Sequence, residues 1–134
     1  MIKPMAPAPE PTAGLLKFCL AISGLMGALG VVSLALAAHA EGSNLLGTAA
    51  RMLMFHAPVF LAIGILAQMR KVLLLPVTVL FLFFGLTFFC GDLFSRAFLE
   101  SRLFPMAAPV GGMFLIVGWV SLALGAFKAV PRDL

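Results

Sequence analysis

Charged residues are scarce in this chain of 134 residues, which has nine Lys or Arg and five Asp or Glu. Four stretches contain none of them: residues 18–40, 52–69, 72–91 and 103–127. Each is close to or longer than the roughly 20 apolar residues that a membrane-spanning helix needs. Soluble domains are about 45–50% apolar, whereas 63% of this chain is apolar. One small core cannot bury so much apolar surface, so the sequence predicts an integral membrane protein whose main partner is the lipid bilayer.

The sequence also lacks the motifs of the common enzyme classes. It has no H-E-x-x-H, C-x-x-C or phosphate-loop pattern and no recognisable frame for a Ser-His-Asp constellation. We therefore expect a protein that is not an enzyme and has no cofactor. The net charge of +4 does not indicate a nucleic-acid partner, because the basic residues flank apolar segments instead of forming a patch with aromatic residues.

An all-α fold is predicted, an integral membrane four-helix bundle formed by residues 15–130. Its helices are expected at residues 15–38, 50–68, 73–93 and 105–130. Residues 1–14 are rich in Pro and Ala, which predicts a disordered tail, and residues 131–134 form a C-terminal tail. Pro76 is expected in the first turn of the third helix, where its missing N–H costs little. Pro58 is expected to kink the second helix or to mark its first turns.

The first predicted helix has a rival interpretation as a signal peptide. Residues 38–40, Ala-His-Ala, have the A-x-A form of a signal-peptidase site. The apolar run before them is longer than the roughly 7–15 residues of a signal peptide's apolar region. That length favours a helix that is retained instead of being cleaved after Ala40.

The distribution of basic residues predicts the orientation. With four spans, one side of the membrane holds Lys3, Lys17, Arg70, Lys71, Lys128 and Arg132, and the other holds Arg51, Arg96 and Arg102. Because loops on the cytoplasmic side carry the excess of Lys and Arg, both termini are expected to be cytoplasmic.

Small residues recur on one face of two predicted helices. They are spaced three or four residues apart in the first helix and seven apart in the fourth, where they form a seam along which another helix can approach closely. The predicted packing residues are Ser23, Gly27, Gly30, Gly111, Gly112, Gly118 and Gly125. Contact within the bundle is the simplest interpretation, and a homo-oligomer or a larger membrane complex is the other. Trp119 lies in the middle of the fourth segment and is expected to pack against a neighbour.

Polar residues that could carry chemistry fall, by this topology, at the outer side of the membrane. The candidates are His39, Arg51, His56, Asp92 and Arg96. His56 is expected roughly 7 Å deeper than Arg51. Ionisable groups at membrane depth are costly and face the bundle interior or water, so a functional site is one interpretation.

Three kinds of site fit this polar cluster. A proton-linked or metal site would use His39, His56 and Asp92, and a haem would use the two histidines. The third is a structural hydrogen-bond network, because Asp92 and Arg96 are spaced for an i, i+4 pair and buried polar groups first need partners. We favour the structural network, and the identity of any metal is left open.

Four segments carry a family resemblance in their order and spacing. Residues 21–40 end in Ala-His-Ala, where the family's first helix ends in Gly-Ala-His. Residues 51–57 match an Arg-x4-His-Ala stretch, and residues 90–94, Cys-Gly-Asp-Leu-Phe, stand where the family reads Ser-Gly-Ser-Leu-Tyr. Residues 109–112 and 118–119 match the last four positions of a Thr-Pro-x-Gly-Gly stretch and a Gly-Trp pair, with Ala108 where Thr is usual. The chain resembles domain-of-unknown-function family 423, small four-helix bacterial membrane proteins.

The resemblance implies a location in the bacterial cytoplasmic (inner) membrane and places His39, Arg51 and His56 in the family's shared plan. It implies no activity, because the family has none firmly assigned. The chain departs from the family pattern at Asp92, where Ser is usual, and at Pro58, where Leu is usual. A role for Asp92 is therefore not inherited.

Two function hypotheses follow. The first is a small non-enzymatic membrane subunit that packs through its glycine faces against itself or within a larger complex. The second is a transport protein, or one that handles protons or metal, with a site at the outer His39, His56 and Asp92.

Overall fold

The computed structural model describes residues 8, 11–40 and 44–131. Most of the predicted disordered tail and residues 132–134 of the predicted C-terminal tail lie outside this part of the chain. The long helices are α1 (Gly14–His39), α2 (Asn44–Met69), α3 (Leu75–Leu99) and α4 (Ala107–Gly125). A 3-10 turn, Ala126–Lys128, follows α4, and two short strands are β1 (Arg70–Lys71) and β2 (Val130–Pro131).

Four helices of the described chain are long and apolar enough to cross a membrane. A helix of 26 residues, the length of α1 and α2, rises about 39 Å, which exceeds a hydrocarbon core of about 30 Å. The predicted fold class, an all-α integral membrane four-helix bundle, is confirmed.

The second helix begins at Asn44, earlier than the predicted residue 50. The predicted helix bounds leave Gly47 and Thr48 in the polar connection before residue 50. The Thr48 hydroxyl instead donates 2.8 Å to the carbonyl of Asn44, one turn earlier, which satisfies it inside the helix. Leu46 is buried in the same turn. Burying a leucine contributes about 1.5–3 kcal/mol, more than the cost of about 1 kcal/mol for a helical glycine such as Gly47.

The third helix ends at Leu99, later than the predicted residue 93, and therefore includes Arg96. Leu93 is buried and Phe94 packs on the core, which favours continuing the helix past Asp92. Glu100 then ends the helix in the left-handed conformation, with φ of 53°. The fourth helix runs over Ala107–Gly125 instead of the predicted residues 105–130, because the chain tightens into the 3-10 turn after Gly125.

The prolines divide between a helix start and a helix middle. Pro76 lies in the first turn of α3, as predicted. Pro58 lies inside α2, far from either end, so it does not mark the first turns of that helix. Because proline has no N–H, the usual i to i−4 bond to the carbonyl of Met54 is missing there.

The helices pack as two pairs. α1 lies against α2 and α3 against α4, and the pairs meet mainly along α2 and α3. Phe60, Leu82 and Leu86 are the largest fully buried apolar side chains at the centre. β1 pairs with β2 in antiparallel register, Arg70 opposite Pro131 and Lys71 opposite Val130. This pairing ties the α2–α3 connection to the segment that follows α4.

Candidate functional site

His56 is buried near the middle of α2, with 2% of its surface exposed. Its Nδ1 lies 2.8 Å from the carbonyl oxygen of Met52, and its Nε2 lies 3.3 Å from Nε1 of Trp119 on α4. A carbonyl only accepts and an indole N–H only donates. Nδ1 therefore carries the proton, and Nε2 accepts from Trp119. Both ring nitrogens already have partners, so a metal or haem would have to displace one of them.

The ring of Phe55 packs beside this pair. The ring centroids of His56 and Trp119 are 5.9 Å apart, and Phe55 lies 5.4 Å from His56 and 6.4 Å from Trp119. The predicted packing of Trp119 against a neighbour did not include its hydrogen bond to His56. No local spacing could have shown it, because the two residues are 63 positions apart and on different helices.

Asp92 is fully buried in α3, about two turns before that helix ends at Leu99. Its Oδ1 accepts a hydrogen bond of 3.0 Å from the backbone N–H of Leu103, in the α3–α4 connection. Its Oδ2 lies 3.9 Å from Nη1 of Arg96, too far for a hydrogen bond, and has no hydrogen-bond partner in the described part of the chain. Asp92 thus holds the connection against α3, with Arg96 as a distant counter-charge.

A second bond supports the same connection. The Ser95 hydroxyl donates a hydrogen bond of 2.9 Å to the carbonyl oxygen of Ser101. Together with Asp92 it fixes the chain between the end of α3 and the start of α4.

His39 and Arg51 lie at the surface. His39 is the last residue of α1 and is exposed. Arg51 is exposed on α2, and its Nη2 donates 3.2 Å to Oδ1 of Asn44 in the first turn of the same helix. Arg51 therefore stabilises the start of α2.

The structure does not bring His39, His56 and Asp92 together. Over residues 11–40 and 44–131, no three His, Cys, Asp or Glu side chains are placed to hold a metal ion. The sequence predicted that His56 and Asp92 both lie at the outer side of the membrane. They lie at different depths instead, because α2 begins earlier and α3 ends later than predicted. His56 is about 18 Å along the axis from Asn44, near mid-helix, whereas Asp92 is about 10 Å from the end of α3.

The predicted seam on α4 faces α3. A Cβ built on Gly111 would lie 2.5 Å from the backbone nitrogen of Phe89, one on Gly118 2.8 Å from Leu82 and one on Gly125 3.0 Å from Val72. Side chains at Gly111 and Gly118 would push α3 and α4 apart, and one at Gly125 would press on Val72 in the α2–α3 connection. The seam is therefore a contact within the bundle.

A buried pair of hydroxyls lies along that seam. Oγ of Ser121 is 2.8 Å from the carbonyl oxygen of Gly118 and donates to it, and Oγ1 of Thr78 lies 2.7 Å from Oγ of Ser121. Thr78 supplies the proton between the two hydroxyls, because that of Ser121 is already committed. The bond links α3 to α4.

Of the packing residues predicted on α1, Gly30 and Ser23 contact α2, whereas Gly27 faces open space. Gly30 lies against Met54, whose Cγ would be 2.6 Å from a built Cβ, and the Ser23 hydroxyl donates 2.8 Å to the carbonyl of Ala57. Gly27 has no atom within 4 Å of a built Cβ. Gly112 on α4 is equally open, so these two glycines are not needed for contacts inside the bundle.

Two close approaches were not predicted. A Cβ on Gly64 would lie 2.8 Å from that of Cys19, and one on Gly85 would lie 2.9 Å from the carbonyl oxygen of Gly111. α2 also contains Gly47 and α3 also contains Gly91, but no seven-residue glycine repeat marks either close approach, and only the packing reveals it. Cys19 and Cys90 are free and buried, consistent with simple packing roles.

The chain is similar to membrane proteins of unknown function. The family model described as protein of unknown function (DUF423) matches residues 26–112. A UPF0382 membrane protein of Haemophilus influenzae is 30% identical over 112 residues, which cover 84% of this chain and 86% of that protein. A UPF0382 membrane protein of Staphylococcus saprophyticus is 40% identical over 75 residues, 56% of this chain and 62% of that protein.

An Escherichia coli K12 relative, the UPF0382 inner membrane protein YgdD, is 30% identical over 74 residues, 55% of this chain and 56% of that protein. The chain thus spans less than two thirds of the staphylococcal and Escherichia coli proteins. No solved structure matches it.

Proposed function

This chain belongs to the DUF423 family of membrane proteins, and we propose that it is a small non-enzymatic subunit of the inner membrane that packs on a partner helix through α1. Both termini are cytoplasmic in this proposal, in line with the excess of Lys and Arg on their side of the bundle. The observation that carries the proposal is an unused face of small residues on α1.

We call this surface the free face of α1 and define it by Ala21, Gly24, Ala28 and Ala35. At 3.6 residues per turn these four lie within about 60° of one another, on the side of the helix opposite Met26 and Gly30, which face the bundle. All four are exposed, and a Cβ built on Gly24 would meet no atom within 4 Å.

Small residues matter on this face because the surrounding medium is lipid. Lipid chains are as apolar as leucine, so burial alone does not drive helices together in a membrane. Close approach of two backbones supplies the packing energy instead, and small side chains permit it. Only 22% of the spanning window of α1 is buried, compared with 44% for α3. α1 therefore has both the composition and the free area for a partner helix.

The other hypothesis, a transport protein or one that handles protons or metal, has less support. It needed His39, His56 and Asp92 to converge, and each of these residues lies in a different setting. His56 is bonded to Met52 and Trp119, and Asp92 to the amide of Leu103. The geometry of the described residues favours structural roles for both.

A site-specific cross-link tests the proposal. A photoreactive amino acid is placed at Ala28 in a tagged full-length chain expressed at native level. We expect one discrete protein adduct, either with a second copy of this 14.2 kDa chain or with a larger protein. Adducts with lipid alone would contradict the proposal.

Two leucine substitutions provide the matched comparison. G24L adds bulk on the free face, whereas G112L adds the same bulk at an equally open position on α4. We expect G24L to abolish the adduct and G112L to retain it. Equal yields from both variants would show that the free face of α1 does not bind the partner.

A further inference from the structure

A cavity of about 670 Å³ opens at the end of the bundle where α1 begins and α2 ends. Its rim carries three cations, Arg70, Lys71 and Lys128. Its wall is apolar and includes Leu15, Val72 and Leu75. The cavity thus combines cations with apolar side chains at the end of spanning helices. This arrangement matches the boundary between lipid headgroups and acyl chains.

The fold brings these cations together from distant parts of the chain. Arg70 and Lys71 form β1, which pairs with β2, and Lys128 ends the 3-10 turn just before β2. The pairing therefore holds the α2–α3 connection and the segment after α4 at one rim. Arg70 and Lys128 are exposed, and the acidic residues of the described chain, Asp92 and Glu100, belong to the opposite end of α3.

A second apolar groove starts at the same rim. It has a volume of about 360 Å³, shares Leu73 and Lys128 with the first cavity, and continues along Leu124 and Phe127 of the α4 side. Leu73 and Phe127 are among the most exposed large apolar side chains, at 66% and 87%. Two apolar grooves that share Lys128 as a lining residue fit a ligand with one polar head and two hydrocarbon chains.

We propose that this site binds an anionic phospholipid. Its phosphate contacts Arg70 and Lys128, one acyl chain lies in each groove, and Lys71 lies beside the headgroup on the same rim. Arg and Lys form strong charge-assisted hydrogen bonds to phosphate oxygens. A basic pocket between helices at the membrane surface therefore favours lipids with negatively charged headgroups. A zwitterionic lipid of the same chain length fills the grooves without the net negative charge.

Native mass spectrometry of the full chain in mild detergent tests the site. The protein is mixed with phosphatidylglycerol or with phosphatidylcholine of identical acyl chains. We expect phosphatidylglycerol to be retained preferentially. Equal retention of the two lipids by the wild-type chain would overturn the proposal. Because this comparison uses only the wild-type chain, it does not depend on whether a variant folds.

Single-charge variants locate the site. R70Q and K128Q should each lower phosphatidylglycerol retention about fivefold, the contribution of roughly one cation near an anionic surface. R102Q removes one exposed charge at the other end of the bundle and should change retention little. An equal loss in R102Q would show that overall charge, not this cavity, controls binding. Circular dichroism of each variant verifies that it is folded.

Free phosphate is the competing occupant of the rim. Inorganic phosphate at millimolar concentration should leave phosphatidylglycerol bound, because it makes no contact in the apolar grooves. Displacement of the lipid by phosphate at that concentration would identify a simple anion site and overturn the lipid assignment.

Discussion

Alanine at Gly111 should destabilise the bundle, whereas alanine at the next residue, Gly112, should not. A Cβ at position 111 would lie 2.5 Å from the backbone nitrogen of Phe89 and 2.6 Å from the carbonyl oxygen of Gly85. Both are backbone atoms of α3, so no side-chain rotation relieves the overlap and the helices must separate. A Cβ at position 112 would meet no atom within 4 Å.

The two substitutions differ in packing but share the same change in helix propensity. Overpacking costs about 1–3 kcal/mol, and the upper half of that range applies to Gly111 because the overlap is with backbone. Replacing glycine by alanine in a helix contributes about 1 kcal/mol of stability in both variants. G111A should therefore lose about 1–2 kcal/mol and G112A gain up to about 1 kcal/mol, a difference of about 2–3 kcal/mol.

Reversible unfolding in mixed micelles measures this difference. The free energy of unfolding is followed by circular dichroism as the SDS fraction rises, and by the fluorescence of Trp119, the chain's single tryptophan. Trp119 lies on the same helix as the two glycines, so its emission reports on α4 directly. Equal stabilities of G111A and G112A would refute the close backbone contact between α3 and α4.

Three further predictions concern the polar and thiol groups. D92A removes the acceptor of a loop amide and should cost about 1–3 kcal/mol and speed proteolysis of residues 100–106, whereas D92N keeps a carbonyl acceptor and should cost less. W119F removes the donor to His56 and should cost about 0.6 kcal/mol in SDS unfolding, the average for hydrogen bonds between membrane helices; unchanged stability would contradict that bond. Cys19 and Cys90 are buried, so maleimide should label them only after unfolding, and rapid labelling of the folded protein would disprove their burial.

Charge-free runs predicted the spans well because charges at membrane depth are costly, but they located the ends poorly. The predicted bounds leave Gly47 and Thr48 between the first two helices, and both lie within α2. The local preference of such residues for turns is weak compared with burial of a neighbour such as Leu46. The sequence also predicts the end of α3 too early, because Asp92 is polar, yet its carboxylate has a partner in the amide of Leu103.

Seven-residue spacing was a sound guide to the inward face of α4 because it is a helical period: Gly111 and Gly118 face α3, and Gly125 faces Val72 and Leu74 in the connection just before it. The candidate site was harder to predict. Sequence spacing gives depth along a helix once its ends are known, but it does not give the rotation of one helix against another. The bond between His56 and Trp119 depends on that rotation.

Hydrogen bonds between helices explain how the four helices stay together in the lipid bilayer, where the hydrophobic effect does not drive helix association. Within each pair, a glycine contact is accompanied by one hydroxyl bond: Ser23 joins α1 to α2, and Thr78 joins α3 to α4 through Ser121. Between the pairs, the bond from Trp119 to His56 links α4 to α2.

Each partner in these bonds would otherwise be an unsatisfied polar group in hydrocarbon, so the set specifies which helices meet and at what level. The face of α1 opposite these contacts carries small residues such as Gly24 and makes no such bond in the described chain. Because this face of α1 is left open, it is the surface on which we propose that a partner helix packs.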